Sequence, residues 1–167
     1  MADDFRRELV ALLPRLRRFA LGLTAQPDRA DDLVQAGCER ALTRSSQWQP
    51  GTRLDSWMFK IMQNLWIDQL RAARDHAELS AEEETLAGPD WTAGMHAKLS
   101  LEQVLAAMGK LPPAMRAVLA LVCVEDQSYQ QAAEVLGVPI GTVMSRLARA
   151  RRELMRVLQA GTELADA

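Results

Sequence analysis

The chain has 167 residues, of which 49% are apolar and 5% aromatic, and its formal net charge is −2. That length suits one ordinary domain or two small ones, and the abundance of Ala, Leu, Arg and Glu favours helix over sheet. No apolar run approaches the roughly 20 residues of a membrane span, and no signal-peptide core follows the N-terminus. We therefore expect a cytoplasmic protein without membrane insertion.

Three helices are predicted in the first half of the chain. From residue 4 to about 24, apolar residues recur at spacings of three and four, and Pro14 is expected to kink or divide this helix. A second helix, from about 27 to 44, begins with Pro27 and several acids, which suit the positive end of a helix dipole. A third helix is predicted over 54–74, after a Pro-Gly loop.

The stretch from 75 to about 98 is predicted to be an acidic linker, flexible at least in part. Between residues 75 and 90 it carries six acids and neither Lys nor Arg, and it contains Gly88-Pro89. Four further helices are predicted beyond it. The expected fold is all-α, with two small helical domains over 1–74 and 99–160, the linker 75–98 between them, and a tail over 161–167.

The strongest local signal is a helix-turn-helix pattern over residues 128–147. Ser128 can cap the first helix, and Gly137 supplies the left-handed conformation that ends it. The second helix turns Val143 and Leu147 inward. Its opposite face carries hydroxyl and guanidinium groups that suit phosphates and base edges in a major groove: Thr142, Ser145, Arg146, Arg149, Arg152 and Arg156. A merely solvated basic helix in a bundle is the alternative interpretation.

Two cysteines, Cys38 and Cys123, lie far apart in apolar surroundings, and we expect both to be buried free thiols. The only histidines, His76 and His96, fall in the predicted linker, and no Cys and His residues have zinc-finger spacing. We expect no cofactor, no metal site and no catalysis.

The order of the motifs resembles the sigma-70 family of bacterial RNA polymerase sigma factors. Residues 31–35, 40–42 and 54–71 resemble region 2, while 111–116 and 141–146 resemble region 4. The resemblance covers about 5–74 and 99–158, and the missing intervening domain points to the extracytoplasmic-function (ECF) group. It implies a transcription initiation factor that binds core RNA polymerase, directs it to the −35 and −10 promoter elements of a stress-type regulon, and aids promoter melting. An anti-sigma partner is also implied.

The resemblance further implies roles for individual residues. Binding to core polymerase, at the β′ clamp helices and the β subunit, falls to Asp32, Leu33, Gln35 and Glu39, although Leu33 also suits a core position. Recognition of the single-stranded −10 element falls to Trp48, Arg53, Lys60, Asn64 and Arg71. Contacts with the −35 element fall to Thr142, Met144, Ser145, Arg146 and Arg149.

Position 144 departs from the family pattern, which usually has Lys or Arg there. Methionine cannot pair bidentately with guanine, so either the −35 preference differs or this face serves another purpose. Two other functions stay open. A stand-alone helix-turn-helix regulator would leave the region 2 pattern unexplained. A sigma mimic that sequesters an anti-sigma factor is expected to have an eroded basic helix.

Overall fold

The computed structural model describes residues 2–79 and 100–165, and these ranges are helical apart from short connections, as the composition predicts. The predicted linker lies outside them, except for its first five residues. The α-helices are α1 (Ala2–Thr24), α2 (Pro27–Thr43), α3 (Leu54–Leu79), α4 (Leu101–Gly109), α5 (Pro113–Leu119), α6 (Tyr129–Leu136) and α7 (Ile140–Ala165). A 3₁₀ turn occupies Ser45–Gln47, and a π-helical turn, Ala120–Val124, continues α5.

Helices α1, α2 and α3 form what we call the first module. The apolar stripe of α1 meets α3 around Phe19 and Phe59, whose ring centroids are 4.6 Å apart and whose side chains are fully buried. Each such burial contributes about 1.5–3 kcal/mol. The predicted division of α1 at Pro14 is wrong, since one helix runs through it. Packing of Leu9 before the proline and Leu16 after it holds both halves against the same core.

Helices α4 to α7 form the second module, in which α5 and α6 pack against α7. The inward face of α7 is buried at Val143, Leu147 and Ala150, as its periodicity predicts. Gly137 ends α6 with φ +65°, the left-handed conformation in which glycine has no Cβ penalty. The helix-turn-helix prediction is therefore confirmed in its elements and its turn.

The first turn of α6 is closed by a capping box. The Ser128 hydroxyl accepts a hydrogen bond from the Gln131 N–H (3.1 Å), and the Gln131 side chain accepts one from the Ser128 N–H (2.9 Å). We expect Ser128→Ala to lower the free energy of unfolding by about 1 kcal/mol, because orphan N–H groups lose a partner. Chemical denaturation measures this loss. Ser46→Ala, at an exposed serine with no such bond, is the control, and an equal effect of both substitutions would contradict the capping role.

The two modules pack against each other, and buried side chains of both belong to one continuous core. We call their contact the seam. It joins α1 and α3 to α4, α5, the π-helical turn with the residues directly after it, and α6. At its tightest point, a Cβ built on Gly22 would lie 2.8 Å from Cβ of Ala120, so only glycine allows this approach. The sequence predicts two modules but does not predict that they dock.

Three further predictions differ from the structure. Helix α3 continues beyond residue 74 to Leu79, because Asp75 to Leu79 includes no glycine or proline to stop it. Helix α7 likewise continues past residue 158 to Ala165. Cys38 is half-buried, and burial raises the pKa of its thiol, but Cys123 is exposed, because it lies on the outer side of the π-helical turn. Among the described helices, none is long and apolar enough to cross a membrane.

Candidate nucleic-acid interface

The first turns of α7 present the predicted −35 residues on one surface. Met144, Ser145 and Arg149 are exposed, while Thr142 and Arg146 are half-buried at the edge of the same face. The buried residues Val143, Leu147 and Ala150 lie on the opposite side and fix the rotation of the helix. Because Ser145 donates its hydroxyl only to the Thr142 carbonyl (3.1 Å), its oxygen can still accept a hydrogen bond from a partner.

Met144 is the exposed apolar residue of this surface, with 51% of its area accessible. It is flanked by groups that can read or bind DNA, yet its thioether offers only an apolar contact, such as one with a thymine methyl group. Beside this face, between the start of α5 and α7, lies a cleft of about 470 Å³. Its lining combines three cations with one acid and suits a backbone phosphate: Lys110, Pro112, Met115, Arg149, Arg152 and Glu153.

A second polar surface runs along α3. Lys60, Asn64 and Arg71 are all exposed, and their spacings of four and seven put them on one face of the helix. None of the three forms a hydrogen bond or ion pair with another described side chain. The amide of Asn64 can donate and accept, so the stripe places a group that hydrogen-bonds in both senses between two cations.

The loop before α3 is fixed by an ion pair. Arg53 Nη2 lies 2.7 Å from Asp55 Oδ2, and the Ser56 N–H donates to the same carboxylate. Burial raises the pKa of Asp55, but the hydrogen bonds from Arg53 and Ser56 and the charges of Arg53 and Arg15 outweigh it, so the pKa lies below its ordinary value. The pair thus adds stability at neutral pH, which is lost as the pH falls below about 4 through the lowered pKa.

Trp48 belongs to this loop, but its indole lies against the first module. Its ring centroid is 5.4 Å from that of Phe5, and its buried Nε1 has no hydrogen-bond partner. The ring is half-buried. Because one side of the ring is covered in this way, Trp48 is not a free platform on which a base could stack from both sides.

The predicted polymerase-binding residues of α2 separate into two groups. Asp32, Gln35 and Glu39 are exposed on one face, at spacings of three and four. Leu33 has no exposed area and packs in the core, so it cannot belong to a contact surface. Burial of its apolar side chain stabilises the fold. The exposed face of α2, formed by Asp32, Gln35 and Glu39, is acidic and polar.

Glu125 lies at the seam although no pattern in the sequence pointed to it. Its side chain is 1% exposed and lies between Arg15 and Arg18 of α1, with contacts of 3.0 and 3.4 Å. The only signal in the sequence is an acid directly after the apolar run 117–124. Its partners lie more than 100 residues away, and no spacing rule connects them.

Among the described side chains, no cluster of His, Cys, Asp and Glu could hold a metal ion.

Comparisons with known proteins match both modules. Residues 101–154 match the family model described as sigma-70, region 4, and residues 9–63 match the sigma2 domain of PhyR. The ECF RNA polymerase sigma factor EcfG of Rhodopseudomonas palustris is 38% identical over 158 residues, which cover 95% of this chain and 87% of EcfG.

Solved structures show the same fold. The sigma factor RpoE of Bartonella quintana, in complex with the anti-sigma factor NepR, is 31% identical with a TM-score of 0.78, covering 93% of this chain and 97% of RpoE. The PhyR–NepR complex from Sphingomonas sp. Fr1 has a TM-score of 0.62 at 22% identity, over 92% of this chain and 88% of that one, and supports the fold alone.

Proposed function

This chain belongs to the extracytoplasmic-function group of sigma-70 RNA polymerase sigma factors, and we propose that its two modules divide promoter recognition between them. Residues 1–74 bind core polymerase and the −10 element, residues 99–160 bind the −35 element, 75–98 join them, and 161–167 form a tail. The match to EcfG carries the proposal, because one continuous alignment of 158 residues spans both modules. As a sigma factor, the chain positions the polymerase at the promoter and aids melting of the promoter DNA, while the polymerase itself catalyses RNA synthesis.

The exposed groups support this division. The α3 stripe around Asn64 combines an amide with cations, which suits an extruded base and the phosphates beside it. The α7 face combines Arg146 and Arg149 with hydroxyls, which suits a major groove. The polar face of α2, with Asp32, Gln35 and Glu39, is left for the β′ clamp helices. We further propose that the protein acts in the cytoplasm and is held by an anti-sigma factor until it is needed.

Run-off transcription with purified core polymerase over a promoter library tests the proposal. The chain should direct initiation from a defined subset of promoters, and its absence should abolish those transcripts. If the folded protein directs no initiation from any promoter, the proposal is wrong.

Asn64→Ala is expected to lower open-complex formation by about 5- to 150-fold, because one base-reading contact is worth about 1–3 kcal/mol. Binding to −35 duplex DNA should not change, since Asn64 lies in the first module. Permanganate footprinting of the melted −10 region measures the first effect, and a gel shift measures the second. Gln69→Ala, an exposed amide on a different face of α3, is the matched control. Equal effects of the two substitutions would argue against a role for Asn64.

One observation favours a second candidate, a mimic that sequesters an anti-sigma factor: the first module matches the sigma2 domain of PhyR, a protein also solved with NepR. Against it stands the intact basic face of α7, with Arg146, Arg149 and Arg152. The transcription assay separates the two, because a mimic would bind an anti-sigma factor without directing initiation.

A further inference from the structure

The docked modules are too close together to read both promoter elements at once. The −35 and −10 elements lie about 25 base pairs apart, which is about 85 Å at 3.4 Å per base pair. A compact chain of 167 residues has a radius of gyration of about 15 Å and therefore a diameter of about 40 Å. Promoter recognition thus requires the seam to open, and the forces across the seam decide how readily it does so.

One set of charges closes the seam. Arg15 and Arg18 of the first module enclose the Glu125 carboxylate, and Arg15 Nη1 also lies 3.1 Å from Asp55 Oδ2. Since the Glu125 side chain is 1% exposed, water competes little for this pairing. Next to it, the Ser56 hydroxyl donates to the buried Gln127 side chain at 3.4 Å.

A second set of charges opposes closure. Arg116 of α5 is 8% exposed, its buried Nε has no hydrogen-bond partner, and it forms no ion pair within the described part of the chain. Burial and the nearby charge of Arg29, on α2, both lower its pKa. Arg29 itself lies 5.7 Å from the centroid of the Trp66 ring. An arginine stays protonated in proteins, so the closed form keeps the Arg116 cation buried, with the like charge of Arg29 near it.

We propose that the seam is a charge-balanced latch built into this chain, which Glu125 closes through Arg15 and Arg18 and which Arg116, buried without an ion pair to any described residue, holds close to opening. The proposal rests on the proposed function, because only a protein that reads two distant elements needs its modules to separate. The close contact between Gly22 and Ala120 adds apolar packing to the closed form, and a small increase in spacing is enough to lose it. Loss of the Arg116 charge should therefore shift the equilibrium toward the closed form, and loss of the Glu125 charge should shift it toward the open form.

Single-molecule FRET on the free full-length chain measures the ratio of open to closed molecules. Dyes are attached at Leu42→Cys and Met155→Cys, one exposed position in each module, in a Cys38→Ala/Cys123→Ser background. Glu125→Gln should raise the open-to-closed ratio on the order of 10-fold or more, because a buried ion pair loses one partner. Arg116→Met keeps the apolar stem but removes the charge. It should lower the ratio on the order of 10-fold, both alone and in the Glu125→Gln background.

Glu153→Gln is the matched control, because it breaks a 2.6 Å pair with Arg156 that lies in the second module but away from the seam. It should leave the ratio unchanged. The latch is overturned if Glu125→Gln does not open the chain or if Arg116→Met opens it. Circular dichroism of each variant checks that both modules stay helical, so that a change in FRET reports separation and not unfolding.

The assay contains neither polymerase nor DNA, so its outcome is independent of the transcription test. Opposite shifts by the two variants, without any initiation in the run-off assay, would leave the latch standing and overturn the proposed function. Normal initiation with unchanged FRET ratios would leave the proposed function standing and overturn the latch. If both proposals hold, Arg116→Met should need a higher protein concentration than wild type to saturate core polymerase, and Glu125→Gln a lower one.

Discussion

Replacing Phe59 by alanine is expected to lower the free energy of unfolding by about 3–5 kcal/mol. Phe59 is fully buried on α3, its ring lies 4.6 Å from that of Phe19, and the Arg15 guanidinium lies 5.6 Å from its centroid. The substitution would leave a cavity between α1 and α3 and remove an aromatic pair. It would also leave Arg15 without the surface on which it rests at the seam.

Urea denaturation followed by circular dichroism measures this loss. Val10→Ala, on the 63% exposed outer face of α1, is the control and should change the stability by no more than about 0.5 kcal/mol. A loss of less than about 1 kcal/mol for Phe59→Ala would mean that the contact between α1 and α3 is not the centre of the first module.

Arg146→Ala is expected to weaken initiation at promoters with a −35 element by about 5- to 150-fold and to relax the base preference at one −35 position. A guanidinium at the edge of the α7 face can pair bidentately with guanine, a contact worth about 1–3 kcal/mol. A gel shift over variant −35 duplexes, together with run-off transcription, measures both effects.

Arg156→Ala is the comparison for Arg146→Ala. Arg156 lies ten residues further along α7, where it pairs with Glu153, and should affect DNA binding little. If Arg146→Ala weakens all sequences equally and only reduces the salt dependence, then Arg146 binds a phosphate and the base contact is wrong. Met144→Arg in the same assay shows whether position 144 can acquire a preference for guanine.

Much of the helical layout can be predicted from the sequence because local signals carry it. The three- and four-residue periodicity gives the helices, and Ser128 and Gly137 give the start and end of α6. The outward faces of α3 and α7 follow from the same periodicity, since knowing the buried side of a helix defines the exposed one. Leu33 belongs to the core by the same rule, whichever role the family resemblance suggests for its neighbours.

The predictions that failed depend on tertiary contacts. Pro14 does not divide α1, because packing on both sides of it outweighs one missing hydrogen bond. Cys123 is exposed because it lies on the outer side of the π-helical turn that ends α5, while Ala120 and Leu121 face the core; apolar composition alone does not reveal this. Docking of the modules was not predictable either, since it depends on a glycine-sized gap at Gly22 and on Glu125 meeting two arginines of another helix.

The long sequence separation across the seam has a consequence for folding kinetics. The bonds from Glu125 to Arg15 and Arg18 join residues 110 and 107 positions apart, whereas the contacts within each module are far more local. Local contacts form fastest, and distant ones must first offset the entropy of closing a long loop. The helices of each module can therefore pack together before docking joins the two halves of the core, so we expect a nascent chain to pass through an undocked stage before its final geometry.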